Sequence, residues 1–292
     1  MKKCIFTGSG VAIITPFTQT GVDYQKLKEL LEFQIKEGTD AIVICGTTGE
    51  ASTMPDDEHI AVIEFAVKTV NGRLPVIAGT GSNDTSHAIN ISKRAQEVGA
   101  DAILSVTPYY NKTTQRGLYE HFKLIAENLS IPMILYNVPS RTNLNINPST
   151  VAQLSKIDNI VGIKECNLNQ VAEMINLCGE DFSVYSGEDG IIVPFMSLGA
   201  KGVISVMANI IPKDTHDIAA NYLSNDINGS RKLQLKVTEL VKALFIEVSP
   251  IPIKEAMNQM GMNVGKCRLP LVDMEESNKG ILISALKNYG LI

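Results

Sequence analysis

The residue best placed to do chemistry in this sequence is a lysine that ends an apolar run. In "IVGIKECN" (160–167) the chain passes from Ile163 straight into Lys164 with no turn residue between them. Strand alternation puts Ile160, Gly162 and Lys164 on one face and Val161, Ile163 and Glu165 on the other, so either face sets a charge against apolar surface. A lysine is rarely buried unless it is paired or its ionisation is used. One chemistry is therefore a structural ion pair with a neighbouring carboxylate. The other is an imine-forming amine, which must be neutral to attack. A free lysine titrates near about 10.4, so this costs about 4 kcal/mol of desolvation and charge effects. Within the strand no carboxylate shares the Lys164 face, and Gly162 leaves room there for a substrate.

Other polar clusters suit the same chemistry. "GTTGE" (46–50) is either a plain turn or a cradle in which hydroxyls and backbone N–H groups hold a carboxylate or phosphate. The tyrosines of "TPYYN" (107–111) and Tyr136 of "YNVPSRT" (136–142) are either core aromatics with a wet hydroxyl or proton-transfer groups. "GTGSND" (79–84) lacks the third glycine of a dinucleotide loop and is expected to be only a loop. His59, His87, His121 and His216 show no metal-ligand spacing and are expected at solvated helix positions. No metal and no cofactor are called for.

The elements that must position these residues form a regular series. β-rich apolar runs fall at 11–15, 41–45, 75–79, 102–106, 133–137, 160–164, 182–186 and 202–206. Segments of helical spacing separate most of them. In 24–38, for example, Leu27, Leu30, Leu31 and Ile35 make one stripe and Gly38 is placed to end the helix. Eight strand–helix units predict an α/β fold, a (β/α)8 TIM barrel, with a doubly wound open sheet as the rival. Beyond residue 208 the pattern turns helical, with helices expected at 230–247, 250–261 and 275–290. The division is a barrel over 1–224 and a C-terminal helical extension over 225–292. Each polar cluster follows the C-terminal end of a strand, where such barrels build their sites.

Composition narrows the partners. The 292 residues are 45% hydrophobic and 20% charged, with a net charge of −5 and no lysine/arginine block. A nucleic-acid or anionic-membrane footprint is therefore lacking, and a small-molecule substrate is expected. Five scattered cysteines without C-x-x-C suggest a reducing compartment. The start, "MKKCIFTGSGVAIITPF", is broken by Thr-Gly-Ser-Gly before a signal core could form. A cytoplasmic protein is expected.

With "GTTGE", "TPYYN", "YNVPSRT", "GIKE" and "GVISV" falling in order after successive strands, the chain resembles the lysine-dependent pyruvate aldolase family over essentially its full length. The resemblance implies that Lys164 forms a Schiff base with pyruvate. The derived enamine then attacks L-aspartate 4-semialdehyde and the adduct cyclises, a step of diaminopimelate and lysine synthesis. It also implies that Tyr136 shuttles protons and that Thr47 links it to Tyr110, which reaches in from a neighbouring subunit. Thr47 and Thr48 would hold the pyruvate carboxylate, Arg141 the carboxylate of the second substrate, and Gly187 and the Ile204 carbonyl the opposite wall. A homotetramer built from two dimers follows. Relatives usually continue the lysine motif as "KEASG" or "KEATG", whereas this chain has "KECNLN". Cys166 is read as a small apolar filler. The competing functions are a sugar-acid aldolase of the same family, such as an N-acetylneuraminate lyase or a 2-keto-3-deoxygluconate aldolase, and a non-catalytic binding relative.

Overall fold

The computed structural model describes residues 2–292. Eight strands run in chain order: β1 (Gly8–Ala12), β2 (Ala41–Ile44), β3 (Val76–Gly79), β4 (Ala102–Val106), β5 (Met133–Asn137), β6 (Ile160–Glu165), β7 (Ser183–Ser186) and β8 (Gly202–Ser205). All neighbours pair in parallel and β8 returns to β1, with Gly8 opposite Gly202 and Val11 opposite Ser205. The barrel is closed and the open sheet is excluded. Closure depends on small residues at the seam, because a Cβ on Gly202 would stand 1.9 Å from the Gly8 carbonyl oxygen.

Helices α1 (Tyr24–Lys36), α2 (Asp56–Val70), α3 (Thr85–Glu97), α4 (Gln115–Glu127), α5 (Pro139–Thr142), α6 (Pro148–Leu154), α7 (Val171–Cys178), α8 (Ile192–Ser197) and α9 (Pro212–Leu223) cover the strands. The first shows how the sequence sets them. The Asp23 carboxylate accepts from the Lys26 N–H (2.9 Å), Leu27, Leu30 and Leu31 are buried, and Gly38 leaves the helix at φ +87°. Apolar residues divide into two layers. Ile134, Tyr136, Val161, Tyr185 and Ile204 pack inside the barrel, while Leu135, Ile160, Ile163 and their like face the helices. Tyr185 stacks on Phe6 (4.4 Å between centroids) and donates to its carbonyl (2.8 Å), filling the interior.

Several expectations are corrected. The first strand lies at Gly8–Ala12, three residues before the apolar run. The run's end is a buried loop in which the Ile14 N–H donates to Asn209 Oδ1 (3.1 Å). In β6 the register slips: Met133 pairs with Ile160 but Ile134 with Gly162, a bulge that moves Val161 inward. Ile160 therefore faces outward, away from Lys164. A Cβ on Gly162 would meet the Ser183 carbonyl at 2.4 Å, so that glycine serves strand approach and makes no room for a substrate.

The C-terminal segment forms α10 (Ile227–Lys236), α11 (Thr238–Leu244), α12 (Ile251–Gln259) and α13 (Glu276–Tyr289). The single helix expected over 230–247 is broken at Val237. There the Thr238 hydroxyl turns back onto the Gln234 carbonyl (3.4 Å), a contact that bends helices. These helices share a hydrophobic cluster with the barrel's outer face, in which Leu240, Met257 and Leu282 join Leu27, Ile42 and Ile63. They also supply a buried ion pair: Lys254 Nζ lies 2.6 Å from Glu50 Oε1 with both side chains sealed from solvent. Glu50 Oε2 accepts the Arg268 N–H (2.8 Å), and the Lys254 ammonium stands 4.3 Å from the Phe17 ring centroid. Glu50 itself has φ +57°, a left-handed turn at the end of "GTTGE".

Because removing one partner strands a buried charge, Lys254→Met is expected to lower unfolding free energy by about 3–5 kcal/mol. Replacing both, as Glu50→Gln with Lys254→Met, is expected to cost less. Chemical denaturation with matched m-values checks this, and a Lys254→Met variant as stable as the parent would show that the pair does not hold the loop.

Candidate active site

Adjacent parallel strands present registered side chains to the same face, and this brings two of the expected groups together. Tyr136 on β5 is opposite Lys164 on β6, and the Lys164 Nζ lies 4.5 Å from the Tyr136 ring centroid. Both are buried, at 7% and 6% exposure. Lys164 makes no ion pair among the described residues; the lysine that the fold buries against a carboxylate is Lys254. Burial raises the Tyr136 phenol above its ordinary value, opposed by the charges of Lys164 and Arg141 and by the Thr47 hydroxyl. A buried phenol beside an amine can pass a proton to and from an atom bound there.

Tyr136, Thr47 and Arg141 open on a cavity of about 470 Å³ above the strand ends. Lys164 is not on that wall; it lies behind it, against the Tyr136 ring. The loop after β2 is shaped by its own hydrogen bonds: the Glu50 and Ala51 N–H groups donate to the Thr47 and Gly46 carbonyls (3.1 and 3.4 Å), and the Thr15 hydroxyl donates to the Gly49 carbonyl (2.7 Å). The Thr47 and Thr48 N–H groups are left without a partner among the described residues, and they suit an anion. Arg141 sits on α5, which Pro139 starts, and donates to the Ser249 carbonyl (2.9 Å), so the C-terminal segment steadies it at the rim.

Gly187 packs directly against Cys166 and the Lys164 side chain. A Cβ there would stand 2.3 Å from Cys166 Sγ and 3.1 Å from Lys164 Cε. Ile204 is fully buried on β8 in the same interior cluster as Tyr136. Burial pushes the Cys166 thiol up to about 12, which makes it a poor nucleophile and fits the reading of a filler.

Tyr110 is not brought to this site within the chain. It is 91% exposed at φ +68°, on the loop after β4, and the Thr47 link to it is absent here. Glu188 is a group the sequence reasoning missed. Burial raises its carboxyl, against Lys164, a hydrogen bond to Cys166, and Arg141. Its only signal was its place in "SGED". Two histidines differ from expectation: His59 is buried with Nε2 2.9 Å from the Gly79 carbonyl, and His121 is buried against the Thr85 hydroxyl (2.8 Å), whereas His87 is exposed on α3, where it pairs with Asp56 (3.0 Å). Among the described residues there is no cluster of three metal-ligating side chains, no helix is long and apolar enough to cross a membrane, and all five cysteines are free.

A closed parallel barrel with a buried lysine beside a tyrosine at its strand ends defines the class of protein, and comparison with known proteins names the family. Residues 5–289 match the dihydrodipicolinate synthetase family, and the chain belongs to it. It is 69% identical to the 4-hydroxy-tetrahydrodipicolinate synthase of Acetivibrio thermocellus, with 100% of both chains covered. Its fold matches the crystal structure of dihydrodipicolinate synthase from Aquifex aeolicus with a TM-score of 0.96 at 48% identity, covering 98% of this chain and 99% of that one. The Acinetobacter baumannii enzyme, solved as a complex with pyruvate, matches with a TM-score of 0.95 at 45% identity over 98% and 99% of the chains. The activity is that of a lyase, 4-hydroxy-tetrahydrodipicolinate synthase, in diaminopimelate and lysine biosynthesis. The sugar-acid aldolase and the non-catalytic relative fall away.

Since any Cβ at position 187 must displace Cys166 and press on Lys164, Gly187→Ala is expected to reduce kcat at least about tenfold. Adding Cys166→Ala, which removes the closer contact, is expected to restore part of it. Steady-state assay of the single and double variants checks both, and wild-type turnover in Gly187→Ala would mean the lysine has slack that this packing does not show.

Proposed function

We propose that Lys164 is the nucleophile of this synthase and pyruvate its first substrate. The observation that carries the reading is the unpaired, buried Lys164 held against Tyr136. The neutral amine adds to the pyruvate ketone and water leaves, giving the imine. Loss of a methyl proton then gives the enamine. Tyr136 supplies and removes the protons of these steps, and Thr47 keeps its hydroxyl oriented. The Thr47 and Thr48 N–H groups and hydroxyls take the pyruvate carboxylate, and Gly187 and the Ile204 carbonyl of β8 bound the other side. The enamine carbon attacks the aldehyde of L-aspartate 4-semialdehyde, whose carboxylate pairs with Arg141, for which a planar fork suits. The amine of that substrate then closes on the imine carbon and releases Lys164.

The assembly belongs to the same reading. An exposed tyrosine in a left-handed backbone conformation suits an interface, and Tyr110 completes the relay of a partner subunit in a dimer, two dimers forming a homotetramer. Residues 1–224 act as the barrel and 225–292 as a brace on the loop that holds the carboxylate. The unpaired cysteines support a cytoplasmic enzyme.

Borohydride reduction in the presence of pyruvate is expected to attach the three-carbon unit to Lys164, located by peptide mass mapping. A label on another lysine, or none, ends the Schiff-base reading. Mixed oligomers of inactive Lys164→Ala and Tyr110→Phe subunits are expected to recover activity, because some sites then hold both native groups. Verified hybrids with no recovery would remove Tyr110 from the shared site.

A further inference from the structure

Directly behind the Tyr136–Lys164 pair, on the outer face of the same two strands, stands a buried carboxyl that the chemistry above does not use. Glu165 is wholly sealed from solvent and is registered opposite Asn137 on β5. It has no cationic partner. Instead Asn137 Nδ2 donates to Oε1 (2.9 Å) and Oε2 (3.0 Å), Gln170 Nε2 to Oε2 (2.8 Å) and the Asn167 N–H to Oε1 (2.7 Å).

These contacts close into a ring. Asn137 Nδ2 also reaches Asn145 Oδ1 (2.8 Å), Asn145 Nδ2 reaches Gln170 Oε1 (2.9 Å), and Gln170 returns to Glu165. The Ile146 N–H donates to Asn137 Oδ1 (3.0 Å) and the Ile146 carbonyl accepts from Gln170 Nε2 (3.1 Å). The ring thus ties four pieces of chain together: the ends of β5 and β6, one residue past each catalytic side chain; the loop after β6; and both ends of the segment 137–146 that carries Arg141.

We infer that Glu165 is a positioning residue: its carboxylate, through the ring with Asn137, Asn145 and Gln170, holds Lys164 against Tyr136 and fixes the segment bearing Arg141. The chemistry of the ring supports an anion at its centre. Every group facing the carboxylate is an N–H donor, so a proton on either oxygen finds no acceptor, and a neutral amide in its place sets its NH2 against other donors. Burial raises the carboxyl to about 7 even with the Gln170, Asn167 and Asn137 bonds holding it down. A ring intended for stability alone has no need of a carboxylate there, because apolar packing of that volume is commonly as stable.

The inference rests on Lys164 and Tyr136 being the reacting pair, and its test separates the two. The experiment measures the rate of pyruvate trapping on Lys164 by borohydride, together with kcat and the pyruvate KM, for the wild type, Glu165→Gln and the milder Gln170→Ala. Correct assembly and far-ultraviolet circular dichroism are confirmed for each. Misplacing reacting groups lowers turnover and leaves ground-state binding, so Glu165→Gln is expected to lose about 10- to 100-fold in trapping rate and kcat with KM within about threefold. Gln170→Ala is expected to move the same way by less. Folded variants that trap and turn over at the wild-type rate, differing only in melting temperature, overturn the inference. If Glu165→Gln does not assemble, wild-type rates in Gln170→Ala overturn it alone. Wild-type enzyme that traps pyruvate on a different lysine defeats the Schiff-base reading instead.

Discussion

The register between β5 and β6 is the constraint on which the site depends. Parallel strands in a closed barrel cannot slide independently, because each is hydrogen-bonded on both edges. Pairing Tyr136 with Lys164 therefore fixes the proposed reacting pair to within the precision of a backbone ladder. The same register sets Asn137 against Glu165 on the reverse face, and Lys164 beside Tyr185 of β7. The bulge at Val161 and Gly162 carries this out: one extra residue early in β6 turns Val161 inward and still delivers Lys164 to the interior.

Two buried lysines in one barrel have opposite uses. Lys254 comes from the C-terminal extension, is neutralised by Glu50, and with Arg268 pins the turn that presents Thr47 and Thr48. Its charge is compensated, so it can hold structure at little net electrostatic benefit but high cost if broken. Lys164 makes no ion pair among the described residues and stands against the Tyr136 ring, with Gly187 packed close on its side chain.

The extension does more than cover the barrel. It reaches the site twice, through the Lys254–Glu50 pair and through the Ser249 carbonyl that receives Arg141. Both contacts act on groups proposed to meet substrate carboxylates, so the helices beyond the barrel fix the position of Arg141 and of the turn after β2 while the strands fix Lys164 and Tyr136.

The sequence by itself determined the barrel, the order of its strands and the family. Apolar runs of strand length alternating with amphipathic helices leave few other ways to bury so much surface, and polar clusters after consecutive runs mark the catalytic end. "IVGIK", "YNVPSRT" and "GTTGE" were legible because local pattern placed them on strand ends. Only the tertiary structure decided which face each residue took. The bulge in β6 reversed the assignment of Ile160 and Val161, Gly162 served the approach of β7 and made no room for a substrate, and β1 lay three residues earlier than its apolar run. His59 and His121 were buried, Glu188 joined the site, and Arg141 met a carbonyl 108 residues away. Such features depend on contacts between segments distant in the chain, and neither periodicity nor propensity, which report on a residue's near neighbours, carries that information.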